Sequence, residues 1–178
     1  PARALEYYKK GLAISEKEGD IKGVSLVKNN IATVYAEQNN TKEAIKWFSE
    51  SLEIRRQVNY KYGIINTLSN LGYNYMKLGD YANARKALAE GMQMNEKLND
   101  QNLQTSLHRN YAELYQALGN NDSALYHAKL AHSINLTYGN PLNISSSAIL
   151  LSGLYETMGN YQASLDFYKL HEKMQDSI

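Results

Sequence analysis

The chain has no cysteine, only two prolines, two phenylalanines and one tryptophan in 178 residues, and no long uninterrupted apolar run. Each of these absences closes a class. Without cysteine there is no disulfide framework and no thiolate zinc site, and the compartment stays open between cytoplasm and periplasm. A helix that crosses a bilayer needs about 18 consecutive apolar residues, so a soluble segment with no direct membrane insertion is expected. The 19 basic residues are matched by 18 acidic ones, for a net charge of +1, and adjacent basic residues occur only as pairs such as Arg55-Arg56. No Lys/Arg stripe forms, and nucleic acid is not expected as a partner. The opening residues Pro1-Ala2-Arg3-Ala4-Leu5 do not have the pattern of a signal peptide.

Catalytic chemistry is missing in the same way. The four histidines, His108, His127, His132 and His171, form no His-Glu-x-x-His pattern. The glycines are isolated, so none builds a phosphate-cradling loop. Ser145-Ser146-Ser147 lacks the Gly-x-Ser-x-Gly setting of a nucleophile elbow. No catalytic residue, metal ligand or cofactor is assigned, and the chain is not expected to be an enzyme.

What the sequence does have is a period of 40. Tyr35, Tyr75, Tyr115 and Tyr155 recur without a slip. Four residues before each stands Ile31, Leu71, Tyr111 or Leu151, followed by a small residue: Ala32, Gly72, Ala112 or Ser152. Nine residues after each tyrosine comes Ala44, Ala84, Ala124 or Ser164. A second rhythm runs at half that period, through Gly19, Asn39, Asn59, Gly79, Asn99, Gly119, Gly139 and Gly159. Glycine and asparagine enter the left-handed conformation most cheaply, which a helix C-terminus needs. The residues that follow are Asp20, Asn40, Tyr60, Asp80, Asp100, Asn120, Asn140 and Asn160. All but Tyr60 are strong N-caps, and the helix after Tyr60 is expected to be the least well capped. Between these marks the apolar spacing is helical, as in Val24, Val27, Ile31, Val34 and Tyr35. Nine helices of about 17 residues follow from the 20-residue spacing.

These residues resemble a known family. Leu71-Gly72-Tyr73-Asn74-Tyr75, with Gly79-Asp80-Tyr81 and Ala84, is similar to the tetratricopeptide-repeat signature. The repeat of 40 is longer than that family's usual unit, as in kinesin light chains, Leu-Gly-Asn-rich polarity adaptors and bacterial peptide-sensing regulators. The Asn- and Tyr-rich style also resembles Bacteroidetes-type segments that precede histidine kinases or helix-turn-helix regulators. The resemblance implies an all-α, right-handed solenoid of antiparallel hairpins. Its parts are a half repeat at 1–18 and repeats at 21–60, 61–100, 101–140 and 141–178, read as a single solenoid that is a piece of a longer protein.

The resemblance also implies a protein or peptide partner, held in a concave groove lined by the first helix of each hairpin. On that face Asn30, Asn70 and Asn110 recur once per repeat, with Leu150 in the last. A carboxamide both donates and accepts, so such a row can pair with the backbone of an extended peptide. The same asparagines could instead fix the angle between neighbouring repeats. Asn66 lies one turn earlier, Tyr73 and Glu113 one turn later, and Arg109 and Lys77 flank the row. Two further expectations complete the reading: a sensory input module of a larger signalling protein, and a homodimer through exposed end faces.

Overall fold

A computed structural model of the chain describes residues 2–177; Pro1 and Ile178 lie outside it. Among the described residues there are nine α-helices and no strand: α1 (Ala2–Glu18), α2 (Ile21–Glu37), α3 (Thr41–Gln57), α4 (Lys61–Lys77), α5 (Tyr81–Leu98), α6 (Gln101–Ala117), α7 (Asn121–Tyr138), α8 (Pro141–Thr157) and α9 (Tyr161–Gln175). The turns fall where the half-period marks predict. All eight marked residues are left-handed, with φ between 51° at Asn59 and 81° at Gly79.

Each turn after a leading helix is closed the same way. The amide of the residue after the left-handed one reaches back to the carbonyl of the periodic tyrosine, from Asn40 to Tyr35, Asp80 to Tyr75, Asn120 to Tyr115 and Asn160 to Tyr155, each at 2.9 Å. This is the six-to-one bond that satisfies an orphan carbonyl at a helix end. The N-caps are more selective than the sequence suggests. Asp20, Asp80, Asp100, Asn120, Asn140 and Asn160 bond the amide three residues on. Tyr60 makes no such bond, as expected, and neither does Asn40, which is a departure.

Two compact units divide the chain, Pro1–Leu98 and Asn99–Ile178. In the first, α2 pairs with α3 and α4 with α5, while α1 and α3 pack on the next leading helix. Its core joins Phe48, Leu52, Leu68 and Leu71 around Ala32, Ala44 and Ala87, with Tyr35 and Tyr75 half-buried against them. In the second, α6 pairs with α7 and α8 with α9, and Leu151 and Leu154 meet Ala112, Ala124 and Ala128.

Small residues at the periodic positions are required by close helix approach. A Cβ placed on Gly72 would lie 2.5 Å from Leu88 Cδ2, so the missing atom makes room for the Leu88 side chain between α4 and α5. In the last hairpin both positions are serine, and Ser152 Oγ donates to the Ser164 carbonyl at 2.9 Å.

Candidate functional site

In the first unit the leading helix α4 carries Asn66, Asn70, Tyr73 and Lys77. Spacings of four, three and four residues put them on one helical stripe. The first three are half-buried and Lys77 is exposed. Lys77 Nζ lies 5.5 Å from the Tyr73 ring centroid and donates to Asn39 Oδ1 at 3.2 Å. The Asn70 carbonyl accepts from Asn74 Nδ2 at 2.9 Å, a bond that uses its backbone rather than its carboxamide. Asn30, on α2, is exposed.

The second unit presents a different face. Asn110 on α6 is only 3% exposed, so the row of asparagines does not continue as a row of accessible side chains. The cause is helical phase. In α6 the residues at four-, three- and four-residue spacing that reach the surface are Asn102, Ser106, Arg109 and Glu113, and Asn110 turns one step inward. Arg109 is 50% exposed, and its Nε is 4.0 Å from Glu113. That separation is long for a hydrogen bond.

Behind these faces lies a feature that no single repeat reveals. Two periods of 40 bring α2, α3 and α4 into register with α6, α7 and α8. Between α2, α3 and α4 the space is filled by Arg55, which is 3% exposed. Its Nη1 donates to the Gly63 carbonyl at 2.8 Å, to Thr67 Oγ1 at 2.6 Å and to Asn29 Oδ1 at 3.2 Å. Its Nε is buried without a partner, and burial pushes the guanidinium's pKa down, partly offset by Tyr60. The Tyr60 ring covers this group, with the Arg55 guanidinium carbon 5.8 Å and Lys22 Nζ 4.6 Å from its centroid. Gly63 makes room: a Cβ there would meet the Tyr60 ring at 2.4 Å and Arg55 Cδ at 3.0 Å.

At the register-equivalent place in the second unit every one of those residues is changed. Asn102, Arg109, Asn135, Asn140, Asn143 and Ser147 stand where Lys22, Asn29, Arg55, Tyr60, Gly63 and Thr67 stand in the first. The result is an open cavity of about 180 Å³, lined by residues of α6, α7 and α8. Asn135 Nδ2 donates to the Asn143 carbonyl at 2.8 Å. Ser147 Oγ lies 3.1 Å from the same carbonyl and 2.8 Å from His132 Nδ1. Neither Asn135 nor Asn143 stood out in the sequence, although aligning the repeats by period would have shown the Asn29/Arg55 pair inverted to Arg109/Asn135.

His108 and His127 belong to a polar-aromatic cluster in the second unit. His108 Nδ1 and His127 Nδ1 are 2.9 Å apart, so one ring donates and the other accepts. Tyr111 and Tyr115 stack on His127 at centroid distances of 4.9 and 5.5 Å. Burial, followed by the charge of His127, pushes the His108 pKa down to about 4, and burial lowers those of His127 and His132. His171 Nδ1 pairs with Ser145 Oγ at 2.8 Å. Among the described residues no three His, Asp or Glu side chains converge on a metal-holding geometry.

No helix among the described residues is long and apolar enough to cross a membrane. The surfaces of α1 and α9 expose Tyr7 and Ile14, and Tyr161, Leu165 and Tyr168, respectively.

Paired helices, alanine contacts at a fixed period and left-handed seams every 20 residues define a repeat protein of antiparallel helical hairpins. The chain belongs to the tetratricopeptide-repeat family, whose model, described as tetratricopeptide repeat, matches residues 1–57 and 63–135. Solved structures share the fold. The Rap conjugation gene regulator of plasmid pLS20, in complex with the Phr* peptide, matches with a TM-score of 0.85 at 16% identity, over 97% of this chain and 48% of that one. A putative kinesin light chain with nearly identical TPR-like repeats from Podosopora anserina gives 0.69 at 17%, over 99% and 87%. A signal transduction ATPase with a tetratricopeptide repeat sensor, from Pyrococcus horikoshii, gives 0.76 at 21%, over 99% and 28%. This chain thus spans about half of the Rap protein and under a third of the ATPase. A search of curated protein sequences finds no match.

Proposed function

We propose that this chain is a protein-interaction scaffold that takes an extended peptide or partner segment on the exposed faces of its leading helices. The observation that carries this reading is the α4 stripe of Asn66, Asn70, Tyr73 and Lys77. Carboxamide, aromatic and ammonium groups stand there at successive turns, and none belongs to the buried core. Such a face offers donors, acceptors and a ring for a peptide backbone and its side chains. Asn30 adds an exposed carboxamide on α2, and Arg109 and Glu113 add a charged pair on α6. Asn110 acts from beneath that surface, as a structural residue. No residue is assigned a catalytic role.

A second reading is supported by the likeness to a peptide-bound gene regulator and to a repeat sensor: the scaffold serves as the input module of a signalling protein. On this reading a bound peptide is the signal.

The test is a peptide library displayed on phage and selected on the purified chain. Peptides enriched on the native chain are expected to bind Asn70→Ala/Tyr73→Ala at least about tenfold more weakly, as loss of a central aromatic anchor and its neighbour implies. The melting temperature should move by only a few degrees. Unchanged affinity for every enriched peptide would remove α4 from the binding face.

A further inference from the structure

The cavity between α6, α7 and α8 has a chemistry that the scaffold reading leaves unspecified. We infer that it is a pocket for a side-chain carboxylate, so that this unit selects a glutamate-like group. The inference rests on the scaffold reading only in expecting that the group arrives on a peptide.

Charge argues for an anion. Arg109 is the one charged residue in the lining, and the remaining polar groups there are neutral. Its only carboxylate partner among the described residues is Glu113, at 4.0 Å from Nε. The rest of the guanidinium fork is therefore available for a bidentate carboxylate. The Asn102 carboxamide and the Thr105 and Ser146 hydroxyls also line the cavity, and among the described residues none of the three side chains is engaged in a hydrogen bond.

Shape argues for an amphipathic side chain. Ala131 and Leu150 supply the apolar part of the lining, against which methylenes can pack. The volume of about 180 Å³ equals roughly six waters at about 30 Å³ each, enough for the five heavy atoms of a glutamate side chain. The polar floor is fixed beforehand. Asn135 is 5% exposed and tied to the Asn143 carbonyl, and Ser147 is buried and held by His132.

The first unit supplies the internal control. Its equivalent space is occupied by Arg55, a cation of the chain itself whose Nη1 donates to Asn29, Gly63 and Thr67. Moving the arginine from the following helix to the rim empties the space and turns the charge towards an incoming group.

The experiment is a titration of the ¹⁵N-labelled full chain, followed through the side-chain amides of Asn102, Asn135 and Asn143. Three probes are used: an acetylated and amidated Gly-Gly-Glu-Gly-Gly peptide, its Gln counterpart, and free L-glutamate. The Glu peptide should shift these amides saturably. The Gln peptide should bind about tenfold or more less tightly, and Arg109→Gln should lose a similar factor, as expected for charge-assisted bonds. Arg109→Asn/Asn135→Arg, which copies the first unit, should stay folded by circular dichroism and lose the response altogether. Equal binding of the Glu and Gln peptides, indifference to Arg109→Gln, or no shift at tens of millimolar probe would overturn the inference. A response to free L-glutamate equal to that of the peptide supports the pocket but removes its peptide source. Library peptides that bind without an acidic residue, alongside a silent cavity, would leave the scaffold and sink the pocket.

Discussion

The two units solve the same packing problem with opposite placements of one positive charge. Between α2, α3 and α4 the arginine comes from the following helix, points inward and donates through Nη1 to a carboxamide, a hydroxyl and a carbonyl. Between α6, α7 and α8 the arginine comes from the leading helix and stays half-exposed at the edge of an empty space. The charge carried by each pair of positions is identical, since Asn29/Arg55 and Arg109/Asn135 are the same two residue types exchanged. Whether a repeat closes on itself or stays open thus depends on which helix carries the guanidinium. Aromatic chemistry differs too: the first unit covers its cation with Tyr60, while the second holds all four histidines of the chain.

The largest expected contrast is with pH. His108, His127 and His132 have folded pKa values lowered by burial, so the unfolded chain takes up protons first as pH falls. The second unit should therefore be most stable above pH 6.5 and lose stability as pH falls towards about 4, with His108 alone contributing up to about 3 kcal/mol. Amide hydrogen exchange at neutral and acid pH should show this loss in α6–α8, and His108→Phe should flatten it. Equal acid sensitivity in both units would break the contrast.

A smaller effect separates the two arginine positions. Arg55→Ala should cost about 2–3 kcal/mol in urea unfolding, from a cavity and stranded acceptors, and Asn135→Ala about 1 kcal/mol. Because no carboxylate among the described residues pairs with the buried guanidinium, Arg55→Met should recover most of the loss. If Arg55→Met is as damaging as Arg55→Ala, the hydrogen bonds outweigh the packing of the stem.

The smallest contrast lies at matching caps. Asn120 bonds the Ser123 amide at 3.0 Å, while Asn40, two periods earlier, makes no such bond. Asn120→Ala should cost about 1 kcal/mol and Asn40→Ala only a few tenths. Thermal melts of the two variants decide it, and equal shifts would mean the caps are alike in solution.

Local chemistry was legible in the sequence because each turn carries its own signal. The left-handed seams, from Gly19 to Gly159, and the weak start after Tyr60 needed only residue type and spacing. Asn40 shows the limit of that approach, since an asparagine in the right place still has to point its side chain at an amide. The asparagine row failed as a surface for a related reason. Sequence spacing fixes which residues share a stripe, but the phase of that stripe depends on how α6 settles against its neighbours, and there Asn110 lies inside. The arginine exchange was harder to see, because Arg55 and Asn29 are 26 residues apart and meet only when three helices pack. The division at Leu98 and Asn99 falls on a seam that carries the same Asn-Asp kind of mark as the others, so nothing in residue type sets it apart.

The largest helix–helix contacts within either unit join helices adjacent along the chain, because a seam returns the backbone after each 20 residues. Contacts of such short sequence separation close small loops, which costs little entropy and favours rapid folding. A nascent chain can therefore finish one hairpin, alanines and tyrosine already buried, while the next is still being synthesised. Arg55 follows this timetable only in part: Asn29 is present before it, but Gly63 and Thr67 come later. Until then its charge waits in water, and α4 completes the first unit by taking it in.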